Sequence, residues 1–203
     1  MDHRIRNLSF ISYNCVHADD VRLPHLRELF KECDFLLIQE HGLRQSDLNW
    51  FDKIDESRGV CKHGVSAMDE GQIIRGRPFG GVAIIWSHDL LCKVTPIPCD
   101  SKRICAVKVD FGEKSLLLIC IYMPCDDRCR NQNINVYNDI LNDIVILSNS
   151  IETDFLCIGG DLNTDVTRND YQTLALNTFI FENDLNLCAN DVCCTVDSTF
   201  LVK

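Results

Sequence analysis

The chain alternates short apolar runs with stretches in which apolar residues recur at helical spacing. Leu8–Tyr13 alternates apolar and polar residues like a half-buried strand, and Phe35–Ile38 is wholly apolar like a strand buried on both faces. Apolar residues at every third or fourth position predict a helix from Asn131 to Ser148. The other predicted strands are Val82–Trp86, Lys93–Ile97, Ile104–Phe111, Ser115–Tyr122, Phe155–Ile158 and the beginning of one in Asp197–Lys203, and the other predicted helices are Asp20–Cys33 and Tyr171–Asn183.

Strands and helices in this order predict an α/β protein whose central sheets are covered by helices. The turn Phe111–Lys114 is predicted to join two strands as a hairpin, whereas the glycine-rich segment Gln45–Gly80 is predicted to be mostly irregular. With 203 residues and no internal repeat, the chain is predicted to form one domain over residues 8–203, preceded by a tail of residues 1–7.

The composition is that of an ordinary globular protein, with 46% hydrophobic and 25% charged residues. No apolar run approaches the ~20 residues that a helix needs to cross a bilayer, so no membrane partner is predicted. The N-terminal sequence lacks the apolar core of a secretory signal, and the thirteen cysteines are scattered through apolar segments. The chain is therefore predicted to be intracellular with free buried thiols, and the cysteine spacings do not favour a zinc site.

The formal net charge of −10 argues against a generic nucleic-acid coat, because phosphate contacts need clustered Lys and Arg. It leaves room for an enzyme that touches nucleic acid through a few arginines and a bound cation. Such an enzyme would carry acidic residues around its metal.

Several polar residues end or follow predicted strands, where ligand-binding groups gather in layered α/β proteins. They are Asn14, Glu40, Tyr122, Asp161 and Asn163. Together they would form an oxygen-rich site of the kind that suits Mg²⁺ or Mn²⁺. Taken singly, each also has an ordinary structural explanation, as a turn residue, a helix cap or a strand residue.

Sequence motifs that contain these residues occur in a characteristic order. They are Tyr13–Asn14, Ile38–Glu40, Gly80–Ile84, Ile121–Pro124 and Gly159–Asn163. In order and rough spacing they resemble the endonuclease/exonuclease/phosphatase superfamily, which includes the apurinic endonucleases and pancreatic-type deoxyribonuclease. A narrower resemblance is to the nuclease domain of animal non-LTR (LINE-type) retrotransposons. It is carried by the segments Leu37–Leu43, Gly64–Asp69 and Gly76–Ile84.

The resemblance spans the chain from Leu8 to Phe200 and implies a fold. That fold is a deoxyribonuclease-like layered sandwich of two mixed β-sheets flanked by helices, here lacking its last strands. Members usually continue with a Ser-x-Ile-Asp motif and an Asp-His pair, which have no match before Lys203. We therefore expect a truncated copy with weakened or absent nicking activity.

The resemblance also implies a role for each polar residue at the strand ends. Glu40 would be the principal metal-binding carboxylate, and Asn14 would lie near both the metal and the scissile phosphate. Asp161 would orient or deprotonate the attacking water, Asn163 would hold that water or the phosphate, and Tyr122 would contact the phosphate. The implied reaction is Mg²⁺- or Mn²⁺-dependent nicking of DNA, as at the start of target-primed reverse transcription, and the implied location is the nucleus.

Three further residues near these motifs are candidates for a role at the site. Arg75 and Arg77 precede Gly80 in a glycine-rich loop and could reach a DNA phosphate, although an exposed loop arginine is commonly only solvated. His41 follows Glu40 and is expected to have a structural or supporting role rather than to donate a proton.

Two other interpretations stay open. One is a phosphatase or phosphodiesterase of the same superfamily that acts on small phosphate esters, and the other is a non-catalytic scaffold remnant. The acidic balance slightly favours a small substrate, whereas the loops from Gly64 to Gly81 favour the retrotransposon nuclease. No specific protein partner is implied.

Overall fold

The residues described in a computed structural model of the chain are 8–69, 79–125, 132–165, 168, 170–188 and 199–203. Two β-sheets pack face to face, and helices cover both outer faces. The first sheet has the order β1-β2-β4-β3, with β1 Phe10–Asn14, β2 Phe35–Gln39, β3 Val60–Val65 and β4 Val82–Ser87. The second has the order β5-β6-β7-β8-β10-β9, with β5 Lys93–Ile97, β6 Ile104–Phe111, β7 Lys114–Tyr122, β8 Phe155–Asp161, β9 Asn186–Cys188 and β10 Thr199–Val202.

Three helices complete the layers, namely α1 Leu23–Lys31, α2 Gln132–Ser150 and α3 Tyr171–Glu182. Each sheet is mixed, because β1 and β2 are parallel, as are β7 and β8, while the other pairings are antiparallel. The predicted layered sandwich of two mixed sheets flanked by helices is thus confirmed.

The apolar strands are buried on both faces because each sheet is covered on both sides. Along β7, Leu116, Leu118 and Cys120 point into the core between the sheets. Leu117 and Ile119 point instead to the core under α2 and α3. A strand in such a position must be apolar throughout, which explains why β7 does not alternate.

The predicted strands and helices are found within a few residues of their expected bounds, but one prediction was wrong. Within the segment predicted as irregular, Gln45–Asp55 forms a 3₁₀ helix and Val60–Val65 is strand β3. Leu48, Phe51 and Ile54 are buried at intervals of three residues, which is the period of a 3₁₀ helix. The short strand β9 was not predicted.

The described cysteines are free thiols, as expected, and four of them, Cys15, Cys105, Cys120 and Cys157, are buried. Within the described ranges, no helix is long and apolar enough to cross a bilayer. The predicted tail, residues 1–7, lies outside the described residues.

Candidate active site

The polar residues predicted from the strand ends meet at one edge of the sandwich. Asn14 ends β1 beside Gln39 of β2, and Glu40 follows directly. In the second sheet Tyr122, the last residue of β7, pairs with Asp161, the last residue of β8. Because each pair of strands is parallel, their carboxyl ends lie at the same edge, and packing of the two sheets brings these ends together.

The side-chain amide of Asn14 links the two sheets. Its Nδ2 donates to Glu40 Oε1 at 2.8 Å and to Asp161 Oδ2 at 2.8 Å. Its Oδ1 accepts from the backbone N–H of Val16 at 3.0 Å, which fixes the orientation of the amide. A neutral group therefore holds two carboxylates side by side, and their negative charge is available for a cation.

Tyr122 and Arg103 form the second part of the site. Burial and the neighbouring Glu40 carboxylate, to which the phenol donates a hydrogen bond, raise the pKa of Tyr122. The hydroxyl therefore stays protonated at neutral pH. The Arg103 guanidinium lies over the Tyr122 ring, 5.1 Å from its centroid, and donates to the Tyr122 carbonyl at 3.1 Å.

Arg103 was missed by the sequence reasoning, although a signal was present. The hairpin turn Phe111–Lys114 was predicted, and counting back along the two strands from that turn places Arg103 opposite Tyr122. The backbone bond from Tyr122 N–H to the Arg103 carbonyl, at 3.0 Å, has this register. The site thus contains one cation from the described part of the chain beside its two carboxylates.

Asn163 is fixed by three hydrogen bonds. Its backbone N–H donates to Asp161 Oδ1 at 2.9 Å, and its Nδ2 donates to the Met123 carbonyl at 2.7 Å. The thiol of Cys125 donates to Asn163 Oδ1 at 3.3 Å. Burial and the nearby Asp161 and Glu40 carboxylates raise the pKa of Cys125, so this rim thiol stays protonated and acts as a donor.

Helix α3 anchors the loops on either side of Asn163. Asp170 caps the helix by accepting from the Thr173 backbone N–H at 2.8 Å. From the first turn, Gln172 donates to the Pro124 carbonyl at 3.3 Å and Thr173 donates to the Asp165 carbonyl at 3.1 Å. The loops after β7 and β8 are therefore bonded to the same helical turn.

Backbone strain is concentrated at this edge of the sandwich. Among the described non-glycine residues, four have positive φ, and three of these lie in the loops that follow the site strands, namely Val16 at 57°, Glu40 at 54° and Asn163 at 47°. Asparagine tolerates this conformation, but valine and glutamate rarely adopt it. Strain of this kind persists only where surrounding contacts impose it, and it is common at functional sites.

Gly159 and Gly160 both belong to strand β8 and do not form a turn. A Cβ on Gly160, whose φ is +148°, would lie 2.0 Å from the Ile121 carbonyl oxygen. A Cβ on Gly159 would lie 2.5 Å from the Phe200 ring. The glycines are required because β7, β10 and the opposite sheet approach the backbone closely just before Asp161.

His41 supports the loop after Glu40 and is uncharged at neutral pH. Its Nδ1 accepts from the Leu43 backbone N–H at 3.0 Å, so Nε2 carries the hydrogen and donates to the Val65 carbonyl at 3.2 Å. Burial lowers the pKa of His41 to about 4. The expected structural role agrees with this bonding.

The buried His41 should make stability depend on pH. An unfolded histidine titrates near 6.5, so between pH 6.5 and 4 the unfolded chain binds a proton that the folded chain excludes. The free energy of unfolding should be at its full value above pH 6.5 and fall by about 3 kcal/mol as the pH falls to 4. His41→Gln should remove most of this slope, measured by urea unfolding in EDTA, whereas the exposed His88→Gln should retain it. Equal slopes in both variants would contradict the assignment.

The donor set fits a hard divalent cation. Glu40 and Asp161 supply carboxylate oxygens, and Mg²⁺ usually takes one or two carboxylates while keeping several waters. Among the residues that the structure describes, no group of three or more His, Cys, Asp or Glu side chains is placed to hold a metal ion. The two candidate arginines for substrate contact, Arg75 and Arg77, lie outside the described residues.

Neither protein-family models nor curated proteins match this chain. Solved structures do match. The endonuclease domain of TRAS1, a telomere-specific non-LTR retrotransposon, superimposes with a TM-score of 0.68 at 16% identity, covering 96% of this chain and 83% of that one. An endonuclease/exonuclease/phosphatase family protein from Leptotrichia buccalis superimposes with a TM-score of 0.61 at 14% identity, covering 96% and 87%. The chain has the endonuclease/exonuclease/phosphatase fold.

A third structure with the endonuclease/exonuclease/phosphatase fold has a different activity. The 3′ phosphatase NExo from Neisseria, bound to product DNA hairpin, matches with a TM-score of 0.62 at 12% identity, covering 97% of this chain and 98% of that one. At these identities the matches establish the fold alone. The endonuclease/exonuclease/phosphatase fold is thus shared by nucleases and phosphatases, and the chemistry of this chain must be argued from its own site.

Proposed function

We propose that this protein hydrolyses phosphodiesters with the help of Mg²⁺ or Mn²⁺ and that its substrate is DNA, which it nicks as a retrotransposon endonuclease. The observation that carries the proposal is the Asn14 amide bonded to both Glu40 and Asp161 at 2.8 Å. It joins the ends of β1, β2 and β8 into one anionic, oxygen-rich site. The matches to a retrotransposon endonuclease and to a DNA-bound phosphatase support a nucleic-acid phosphate as the target.

Each side chain would act on the phosphate or on the attacking water. Asp161, oriented by Asn14 and by the Asn163 backbone N–H, accepts a proton or a hydrogen bond from the attacking water. Tyr122 is protonated in the folded protein, and its hydroxyl would have to turn from Glu40 to donate to a phosphate oxygen. Asn163 would have to release the Met123 carbonyl before its amide could reach the phosphate.

Glu40, with Asn14 beside it, would hold the metal. When bound, a divalent cation supplies Lewis-acid stabilisation of the charge that develops on the phosphate oxygens and the leaving group. Asn14 keeps the two carboxylates in place by donating a hydrogen bond to each. Because its amide is neutral, it leaves their negative charge available to the metal.

We propose that the nicking activity is weak. We also propose that the protein, as a retrotransposon enzyme, acts in the nucleus. His41 is neutral and committed to two hydrogen bonds, so it supplies no acid–base group to the reaction. A reaction in which no second acid–base group assists Asp161 is typically slower by roughly 10²–10⁴-fold. Turnover should therefore fall well below that of an active nuclease of the same fold assayed in parallel.

Relaxation of supercoiled plasmid by the full chain tests the proposal. We expect slow conversion to nicked circles in Mg²⁺ or Mn²⁺ and none in EDTA. Release of phosphate from small esters at a higher kcat/KM than nicking would instead favour the phosphatase interpretation, which the acidic net charge of −10 supports. Metal-independent nicking, or no hydrolysis of either substrate class, would contradict the proposed function.

Arg103 should contribute to binding the DNA phosphate. Arg103→Met is expected to lower kcat/KM for plasmid nicking by roughly tenfold, the effect of losing a charge-assisted hydrogen bond. Arg103→Lys should recover only part of the loss, because lysine keeps the charge but not the planar contact with Tyr122.

The matched control for Arg103 is Lys102→Met. This neighbouring cation is exposed and pairs with Asp69 instead of contacting Tyr122. Its loss should change kcat/KM by less than about twofold, as for an ordinary surface charge. Equal losses in the two variants would show that only net charge matters.

A further inference from the structure

A buried polar contact crosses the interface between the two sheets directly beneath the candidate site. Gln39, at 1% exposure, donates from Nε2 to the Cys120 thiol at 3.2 Å, and its Oε1 accepts from the Ser12 hydroxyl at 3.3 Å. Cys120 in turn donates from Sγ to the Ile38 carbonyl at 3.6 Å. Strands β1 and β2 of the first sheet are thereby bonded to β7 of the second.

This contact is out of place in an otherwise apolar interface. Its neighbours between the sheets include Leu37, Ile84 and Leu118, all fully buried. A buried amide is costly unless it is hydrogen-bonded, and a thiol is a weaker partner than a hydroxyl or carbonyl. Leucine or methionine at position 39 would pack here without that cost, so stability alone does not explain a glutamine.

The positions of Gln39 and Cys120 in the sequence indicate which residues their contact holds in place. Gln39 immediately precedes Glu40, and Cys120 lies two residues before Tyr122 on the same face of β7. The backbone N–H of Cys15, next to Asn14, donates to the Gln39 carbonyl at 3.0 Å. The contact therefore joins the two sheets one or two residues from the groups that must meet across the site.

We infer that Gln39 and Cys120 are positioning residues for the hydrolysis proposed above, and the inference rests on that proposed function. The amide–thiol contact fixes how far β2 lies from β7, and this sets the distance from the Glu40 carboxylate to Tyr122 and Asp161. Neither residue touches the substrate. Losing the contact moves the metal-binding carboxylate while leaving DNA contacts such as Arg103 in place.

Cys105 supplies a matched control. It lies directly opposite Cys120 in the β6–β7 register, and its thiol also crosses between the sheets, donating to the His63 carbonyl at 3.1 Å. Both thiols are fully buried in the same core. Cys105, however, leads to β3, where the described structure places none of the residues assigned to the site.

The experiment compares Gln39→Met, Cys120→Ala, Cys120→Ser, Cys105→Ala and the double variant Gln39→Met/Cys120→Ala in the full chain. For each we would measure plasmid nicking and the binding of Mn²⁺ alone by electron paramagnetic resonance. Gln39→Met and Cys120→Ala should each lower kcat or Mn²⁺ affinity by roughly 10–100-fold, with KM for DNA nearly unchanged, as for residues that orient metal ligands.

Three comparisons separate positioning from a general loss of stability. Cys120→Ser, which keeps a hydrogen-bonding group, should recover most of the activity, and Cys105→Ala should keep wild-type kcat per folded molecule. The double variant should be no worse than the poorer single variant, because both remove one contact. Additive losses, or equal effects of Cys120→Ala and Cys105→Ala, would overturn the inference while leaving the proposed function intact. A wild-type protein that neither binds Mn²⁺ nor nicks DNA would overturn both.

Discussion

Glu40→Gln is expected to lower Mg²⁺-dependent plasmid nicking by roughly 10²–10³-fold or more, the usual effect of removing one charged group that stabilises a transition state. Glutamine has nearly the same volume, and its side-chain oxygen can still accept from Asn14, as Glu40 Oε1 does at 2.8 Å. Only the negative charge beside Asp161 is lost. Initial nicking rates over a range of Mg²⁺ concentrations measure the effect, and the half-saturating concentration should rise.

Two further measurements make this result specific to the charge at the site. Glu113→Gln, on the exposed turn between β6 and β7, should nick at the wild-type rate. Urea unfolding without metal should show Glu40→Gln to be as stable as wild type or more stable, because one of two adjacent carboxylates becomes neutral. A Glu40→Gln protein that folds and nicks normally would remove Glu40 from the metal site.

Gly160→Ala should destabilise the native fold severely. The new Cβ would lie 2.0 Å from the Ile121 carbonyl oxygen and 2.9 Å from the Ile121 nitrogen, and the φ of +148° is itself unfavourable for alanine. Relief would require β7 and β8 to separate at Asp161. We expect a loss of more than about 4 kcal/mol, in the range reserved for severe core disruption. Urea unfolding followed by circular dichroism measures it.

Gly112→Ala is the control variant, because it replaces a glycine with positive φ at a position where the new Cβ meets no other atom. Gly112 also has positive φ, at +74°, but a Cβ there would have no atom within 4 Å. This variant should lose only about 1 kcal/mol from the strained conformation. An equal or higher free energy of unfolding for Gly160→Ala than for Gly112→Ala would contradict the close approach of β7 to β8.

Much of the fold follows from local patterns. Phe35–Ile38 and Phe155–Ile158 read as buried strands because they are short and wholly apolar, and both are strands. The 3₁₀ helix Gln45–Asp55 was not predicted, because the glycines that follow it indicate an irregular segment. The three-residue spacing of Leu48, Phe51 and Ile54 is the signal that indicates the helix. A segment with one buried face has apolar residues at a regular spacing, and that spacing predicts the type of element.

The sequence allowed the polar residues at the strand ends to be selected, but neither Arg103 nor the bonding of the site was predicted. Asn14, Glu40, Tyr122, Asp161 and Asn163 could be selected because polar residues at the ends of apolar strands are costly unless used. The structure brings all five together. Their hydrogen bonds could not be predicted, since the Asn14 amide joins residues 26 and 147 positions away.

The sequence by itself determined most of the strands, the three α-helices, the α/β class and the polar residues at the strand ends, because burial on one or two faces constrains each short segment separately. Only the tertiary structure decided that Arg103 lies over Tyr122, that His41 is buried and neutral, and that Gln39 reaches Cys120 in the other sheet. It also decided that Gly159 and Gly160 lie in a strand too crowded for side chains. These features depend on how the two sheets pack, and that arrangement is set by contacts between distant residues that leave no periodic trace in the chain.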